Sequence, residues 1–150
     1  MADESPYLLP VDSGQVARFV DIATFMRQPW TMTCSDGDLV PMGQGVPHPR
    51  AYGTFPRKIR KYVVEEHVIP LETAIHSMTG LPAAVFHIAD RGELRPGAFA
   101  DVVVFDLAKV RDKATYTEPH QLSEGMAYVF VNGKPAVDQG KITDARGGRV

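Results

Sequence analysis

The stretch Pro29-Trp30-Thr31-Met32-Thr33-Cys34-Ser35-Asp36-Gly37 predicts a short buried strand that ends abruptly at an acid followed by glycine. Met32 and Cys34 alternate with polar residues, as side chains do along a strand, and Gly37 permits a sharp turn. An acid at the carboxyl end of a barrel or α/β strand lies where such folds place their chemistry. Asp-Gly is also a common turn sequence, and on this dipeptide alone a turn is the better interpretation. The surrounding residues decide between the two.

A helix is predicted before this stretch, and Asp12 or Ser13 can cap it. Its apolar positions follow helical spacing at Val16, Phe19, Val20, Ala23 and Met26. Pro29 ends the helix. Helix followed by strand is half of an α/β repeat, here without a preceding strand of its own.

A loop rich in glycine and proline follows from Gly37 to Pro56, and loops of such length are commonly functional or mobile. Pro56 is predicted to open a second helix with a basic face that includes Lys58. Because Glu65 and Glu66 follow at once, a solvated helix face is favoured over a nucleic-acid site.

Two further helices are predicted, one with Pro70 in its first turn and Gly80 at its end, and a short one over residues 82–86. His67, His76 and His87 lie along these helices. None has a second ligand at metal-binding spacing, so each is interpreted as a surface or structural histidine.

The pattern changes to strands after Asp90. Residues 100–106 are strongly β-branched and predict a buried strand. Asn132-Gly133 lies between two strand-like runs and is a strong hairpin signal, while Pro135 places the second arm at a sheet edge or a bulge. The chain is therefore predicted to divide into an α/β part, residues 1–90, and an all-β part, residues 91–150.

Composition narrows the classes of partner. A net charge of -2 gives no electrostatic reason to expect nucleic acid or an anionic membrane surface. No apolar run has the length to span a bilayer, and the acidic start lacks the regions of a signal peptide. The single Cys34 rules out an internal disulfide and is compatible with a reducing compartment. We therefore expect a cytoplasmic protein with neither nucleic acid nor membrane as partner.

Three motifs taken together resemble the N-acyl-D-amino-acid deacylases (D-aminoacylases) of the amidohydrolase superfamily. They are Cys34-Ser35-Asp36-Gly37, then His48-Pro49-Arg50-Ala51-Tyr52-Gly53-Thr54-Phe55-Pro56-Arg57, then Met78-Thr79-Gly80-Leu81-Pro82-Ala83. Residues 91–106 are similar to the pattern that enters the family's small β domain, and Val131-Asn132-Gly133-Lys134 resembles its closing hairpin. The resemblance covers nearly the whole chain, from about Val16 onward.

The resemblance implies an α/β fold: the last strand and flanking helices of a metal-containing (β/α)₈ barrel, followed by strands of a small β-sandwich. Asp36 falls on the family's catalytic acid, which takes a proton from metal-bound water and later gives it to the leaving amine. Zinc would polarise the amide carbonyl and lower the pKa of its water toward about 7, and a carboxylate within hydrogen-bond reach would move the proton.

Arg50 falls on the arginine that holds the substrate α-carboxylate, since a guanidinium fork suits a planar carboxylate. The alternative for Arg50 is a loop arginine tied to a neighbouring carbonyl or acid, and the family match favours the binding role. For His48, a site role and a loop-shaping role are nearly balanced. Cys34 as a nucleophile is disfavoured, because its position before Ser35 and Asp36 favours packing.

The family needs metal ligands that include a His-x-His pair, and the five histidines of this chain form none. The chain is therefore expected to equal the carboxyl-terminal third of a deacylase and to bind no zinc by itself. Three interpretations remain open: part of a truncated or split zinc-dependent enzyme that hydrolyses N-acyl-D-amino acids, a non-catalytic module that self-associates, or a gene remnant without activity. The expected macromolecular partner is accordingly the missing amino-terminal portion or a second copy.

Overall fold

A computed structural model describes residues 8–10 and 16–149, with side chains from Ile22 onward. The chain separates into two compact units, Met1–Thr31 and Met32–Val150. In the first, β1 (Leu8–Pro10) pairs antiparallel with β2 (Val16–Arg18), and α1 (Phe19–Met26) follows. The helix predicted from residues 12 or 13 is wrong at its start, because the backbone at Val16 pairs in a strand ladder and is not available to a helix. Asp12 and Ser13 lie outside the described residues.

The second unit contains helices followed by one antiparallel sheet. Residues 32–49 form no helix or strand, and the elements after them are α2 (Arg50–Arg57), a π-helix (Lys58–Glu65), α3 (Leu71–Met78) and α4 (Gly80–Val85). The sheet has the order β3-β4-β5-β6, made of Val102–Phe105, Met126–Val131, Lys134–Asp138 and Lys141–Ile142. No helix in the described part of the chain is long and apolar enough to cross a membrane.

The strand predicted over residues 31–35 does not form. A strand exists through a ladder with a neighbouring strand, and the described residues place a helix beside this segment instead. The Thr33 N–H donates to the Ser77 carbonyl of α3 at 3.0 Å. The segment is therefore held by a helix and by side chains.

Pro56 does not open the second helix, since α2 begins at Arg50 and Pro56 lies inside it. Proline has no N–H to donate to the carbonyl four residues earlier, which here belongs to Tyr52. Ser123 Oγ donates to that carbonyl at 2.7 Å. A side chain from outside the helix thus replaces the missing donor, and the helix continues past Pro56 as the π-helix.

The helix predicted after Pro70 is confirmed as α3, whose residue Ala74 is fully buried. The short helix after it begins at Gly80 rather than at Pro82.

The predicted hairpin is confirmed. Asn132 and Gly133 have φ angles of 50° and 76°, as a two-residue type I′ connection between β4 and β5 requires. In the register, Phe130 faces Pro135 while Val129 faces Val137, so β5 carries one extra residue at this point. Of the two settings predicted for Pro135, the structure shows the bulge.

The strand predicted within residues 100–106 forms as β3, but the expectation that it is buried is wrong. Val103 and Val104 are 51% and 46% exposed. The reason is that β3 is an edge strand of the sheet, paired only with β4. The chain therefore carries an apolar edge strand that its described residues leave half open.

A cluster around Arg91 ties the start of the β part to the hairpin. The Asp101 carboxylate accepts from the Asn132 N–H at 2.8 Å and from the Arg91 guanidinium, which also donates to Asn132 Oδ1 at 2.7 Å. The backbone N–H of Asn132 is the main cause that lowers the pKa of Asp101 below its ordinary value; burial opposes it, and the Arg91 guanidinium adds to the lowering. The turn and the entry to β3 thus share one carboxylate.

We expect Asp101→Asn to lower the free energy of unfolding at neutral pH by about 1–2 kcal/mol, because charge-assisted hydrogen bonds are lost at a partly exposed site. A lowered folded-state pKa contributes stability above the unfolded-state pKa, about 3.9, and that stability is lost as the pH falls through the folded-state pKa. Urea denaturation across this range should show the difference between wild type and Asp101→Asn vanish on acidification. Asp138→Asn in β5 is the matched control, and a difference that persists in acid would contradict the assignment.

Candidate functional site

Asp36 and Arg50, the two residues that the sequence motifs select, lie against each other. Arg50 Nη2 is 2.8 Å from Asp36 Oδ2, and the side chains are 43% and 81% exposed respectively. An ion pair between such exposed groups stabilises a protein by at most about 1 kcal/mol. The pair is therefore formed but easily opened.

The backbone at the Asp-Gly pair explains why these two residues occur together. Asp36 has a φ of 46°, a left-handed conformation that aspartate tolerates better than most residues. A Cβ atom at Gly37 would lie 3.0 Å from the Ala51 Cα of α2. Glycine suits this position because the loop backbone packs directly on the start of the helix, and this contact brings Asp36 close to Arg50.

His48 fixes the backbone next to Arg50. Its Nδ1 accepts the Arg50 N–H at 3.0 Å, so the neutral ring carries its proton on Nε2, which lies 3.0 Å from the Tyr116 hydroxyl. The geometry therefore favours the loop-shaping interpretation of His48, in which the imidazole positions the first residue of α2.

His120 holds the glycine-rich part of the loop, and sequence reasoning missed it. Its Nε2 lies 3.0 Å from the Gly45 carbonyl and must donate to it, which leaves Nδ1 as acceptor for the Gly43 N–H at 3.2 Å. The Tyr52 hydroxyl lies 3.1 Å from the same nitrogen. These partners are at least 68 residues away along the chain. No local pattern could have identified the contact.

Lys58 is buried, which corrects the prediction that it belongs to a solvated basic face. Its Nζ donates to Thr33 Oγ1 at 2.5 Å and to Ser77 Oγ at 2.6 Å. Burial lowers the pKa of this lysine. The two hydroxyls supply the acceptors that water would supply at the surface, and they come from segments that the helical periodicity of residues 57–66 does not include.

Cys34 is exposed, so the packing role predicted for it is wrong in this structure.

A separate cavity of about 370 Å³ is lined by Arg57, Arg60, Lys61, Glu65, Arg111 and Asp112. Arg57 pairs with Asp112 at 3.0 Å, and Arg60 pairs with Glu65 at 2.7 Å. The cavity is lined by charged side chains, and these two ion pairs neutralise part of their charge. Neither Asp36 nor Arg50 lines it.

The residues described here do not fit the zinc ion that the family resemblance implies. Among residues 22–149, whose side chains the structure describes, there is no group of three or more His, Cys, Asp or Glu that could hold a metal. The partner found for Asp36 is a guanidinium. What the site contains is an exposed carboxylate paired with an exposed guanidinium.

Comparison with known proteins agrees with the motifs. Residues 12–137 match the model of the amidohydrolase family. A D-aminoacylase from Alcaligenes xylosoxydans xylosoxydans is 47% identical over 120 residues, which are 80% of this chain and 24% of the relative. An N-acyl-D-aspartate deacylase of the same organism is 43% identical over 130 residues, 87% of this chain and 26% of the relative. The chain thus spans about a quarter of the length of these relatives.

Solved structures show the same relationship. A crystal structure of D-aminoacylase matches with a TM-score of 0.81 and 41% identity, covering 90% of this chain and 28% of that one. An N-acyl-D-glutamate deacylase from Bordetella bronchiseptica, complexed with zinc and a phosphonate inhibitor, matches with a TM-score of 0.78 and 42% identity over the same shares. The fold is accordingly the α/β amidohydrolase fold, and the predicted resemblance to the D-aminoacylases is confirmed: this chain belongs to the amidohydrolase family.

Proposed function

We propose that this chain is the carboxyl-terminal part of a deacylase that hydrolyses the amide bond of N-acyl-D-amino acids to a carboxylate and a free D-amino acid. The observation that carries the proposal is the 2.8 Å contact between Asp36 and Arg50. In an N-acyl-amino acid the α-carboxylate and the amide nitrogen are bonded to one carbon atom. A group that binds the carboxylate and a group that protonates the nitrogen must therefore be close neighbours, as Arg50 and Asp36 are.

Each residue has one role in this proposal. Arg50 binds the substrate α-carboxylate through two parallel hydrogen bonds, and Asp36 takes a proton from the attacking water and gives it to the leaving amine. The substrate carboxylate replaces Asp36 at Arg50. Because the exposed ion pair contributes at most about 1 kcal/mol, this exchange requires little free energy, and it leaves Asp36 free to accept the proton.

The fold and the share of the relatives that the chain covers support a placement in the parent enzyme. Residues 1–90, with α2, α3 and α4, would be the carboxyl-terminal part of the barrel, and residues 91–150, with β3 to β6, a segment of the β-sandwich. The zinc of the complete enzyme would then rest on ligands outside this chain. Support comes from the Bordetella bronchiseptica relative, which is complexed with zinc and of which the match with this chain covers only 28%.

The proposed macromolecular partner is the missing amino-terminal portion, and one observation keeps self-association as the second candidate. Large apolar side chains are exposed on β3 and around the end of α4, among them Val103, Val104, Val85 and Phe86. Such surfaces favour contact with another polypeptide. A folded module without catalysis would cover them with a second copy.

A chimera tests the function. We expect the Alcaligenes D-aminoacylase to retain amine release from N-acetyl-D-amino acids when residues 12–137 of this chain replace its matching segment. Asp36→Asn should then lower kcat by about 10²–10⁴-fold, the usual contribution of a general acid–base, while Asp38→Asn in the same loop serves as the matched control. Equal activity of both variants would contradict the role of Asp36.

The isolated chain provides the complementary arm. Metal analysis should find no stoichiometric zinc, and an amine-release assay should find no hydrolysis of N-acyl-D-amino acids. Turnover by the isolated chain that Asp36→Asn abolishes would contradict the placement of the metal ligands outside it.

The role of Arg50 has its own test in the chimera. Arg50→Gln should raise KM for N-acetyl-D-amino acids by about tenfold or more, because a hydrogen bond between charged groups is lost. For the matched substrate whose α-carboxylate is replaced by a carboxamide, the same variant should change KM little. If KM rises equally for both substrates, Arg50 does not recognise the carboxylate.

A further inference from the structure

Lys58 is a buried charge that the proposed reaction does not use. The residue is only 4% exposed, and its ammonium donates to Thr33 Oγ1 and Ser77 Oγ. Ser77 Oγ donates in turn to the Ala74 carbonyl at 2.8 Å, which turns its lone pairs toward Lys58. Among the described residues no carboxylate pairs with this ammonium within 4.0 Å. The site therefore holds a cation by hydroxyl groups alone.

A lysine in this position carries a penalty that an apolar side chain would avoid, since a charge removed from water without a counter-charge is unfavourable. Methionine would fill a similar volume. What methionine lacks is the ability to donate two hydrogen bonds to two different segments. The ammonium therefore differs from an apolar side chain in that it joins two segments, at Thr33 and at Ser77.

The ammonium connects the segment of Asp36 to the helix of Arg50. Thr33 lies three residues before Asp36, and Lys58 directly follows α2, which begins at Arg50. The Thr33 backbone N–H donates to the Ser77 carbonyl of α3 at 3.0 Å, and the Thr33 hydroxyl accepts from Lys58. Thr33 is therefore held by two hydrogen bonds, one to α3 and one to Lys58.

A second contact lies on the other side of Asp36. The Gly37 backbone packs so closely on Ala51 that a Cβ atom would lie 3.0 Å from the Ala51 Cα. Asp36 is thus held between an anchor at residue 33 and an anchor at residue 37, and both anchors bear on the continuous helical run that starts with Arg50. Its own side chain is largely exposed and adds little restraint.

We propose that Lys58 is a positioning residue for Asp36: by holding Thr33 against α3, its ammonium keeps the Asp36 carboxylate within reach of Arg50. Lys58 touches neither substrate nor reacting atoms. The roles of Asp36 and Arg50 in catalysis rest on the proposed function, whereas the geometry that Lys58 maintains is a property of the chain alone. It can be measured without ligand or turnover.

The test uses the isolated chain and NMR. In the wild type, Asp36→Asn should shift the Arg50 guanidinium resonances, because the ion pair is removed. Lys58→Met should abolish that response and should lower the exchange protection of the Thr33 amide by about tenfold or more, as expected for losing a hydrogen bond to a charged group. The Gly133 amide, which donates to Ala100 at 2.8 Å in the β part, is the internal reference and should change by less than about twofold.

Substitution of the acceptor keeps the test decisive if Lys58→Met does not fold. Thr33→Val removes the hydroxyl at nearly constant volume and should reproduce both effects of Lys58→Met. Thr33→Ser keeps the hydroxyl and should retain the wild-type Arg50 response and amide protection. Lys61→Met, three residues along the same helix, is the matched control for loss of a positive charge and should behave as wild type.

Three outcomes would overturn the proposal. The first is an Arg50 response to Asp36→Asn that survives both Lys58→Met and Thr33→Val. The second is equal loss of protection at Thr33 and Gly133, which indicates a role in global stability only. The third is no Arg50 response in the wild type. The proposed function fails separately, through an inactive chimera or an unaltered Asp36→Asn chimera, so the two failures are distinguishable.

Discussion

The burial of the Lys58 ammonium links three segments of the helical part of this chain. A buried cation must be surrounded by acceptors, and here they come from a loop residue, Thr33, and a helix residue, Ser77. The π-helix that starts at Lys58, the segment leading to Asp36 and α3 must therefore all be in place together. Each of these elements is short, and none forms a regular ladder with the segment before Asp36. The segment before Asp36 is consequently held in place by hydrogen bonds to Lys58 and Ser77 and not by pairing with a neighbouring strand.

The loop between Asp36 and Arg50 depends on a second set of contacts, made by residues 116–123. Tyr116 reaches His48, His120 binds Gly43 and Gly45, and Ser123 donates to Tyr52. Each imidazole accepts a backbone N–H at its Nδ1, from Arg50 in His48 and from Gly43 in His120. The loop that carries Arg50 is thus shaped by side chains that lie far from it along the chain.

Local signals in the sequence predicted the elements that local interactions determine. Asn132-Gly133 provides the positive φ angles that its hairpin turn requires, and Pro70 precedes the apolar stripe of α3. Asp36 and Arg50 were identified from motifs, which carry the chemistry of a site without its geometry. Three of the failures have one cause. The strand before Asp36, the helix start at Pro56 and the exposure of Lys58 all depended on partners distant in sequence, such as Ser77 and Ser123, which no local periodicity reveals.

The bond from Ser123 to the Tyr52 carbonyl has a consequence for the order in which this chain folds. It joins residues 71 apart, and the contacts of His120 with Gly43 and of Tyr116 with His48 join residues 77 and 68 apart. Contacts of this range form only after a large loss of chain entropy, whereas the β4–β5 hairpin closes over two residues. We therefore expect the hairpin and α3 to form early, and the segment that presents Arg50 to Asp36 to become ordered late in folding.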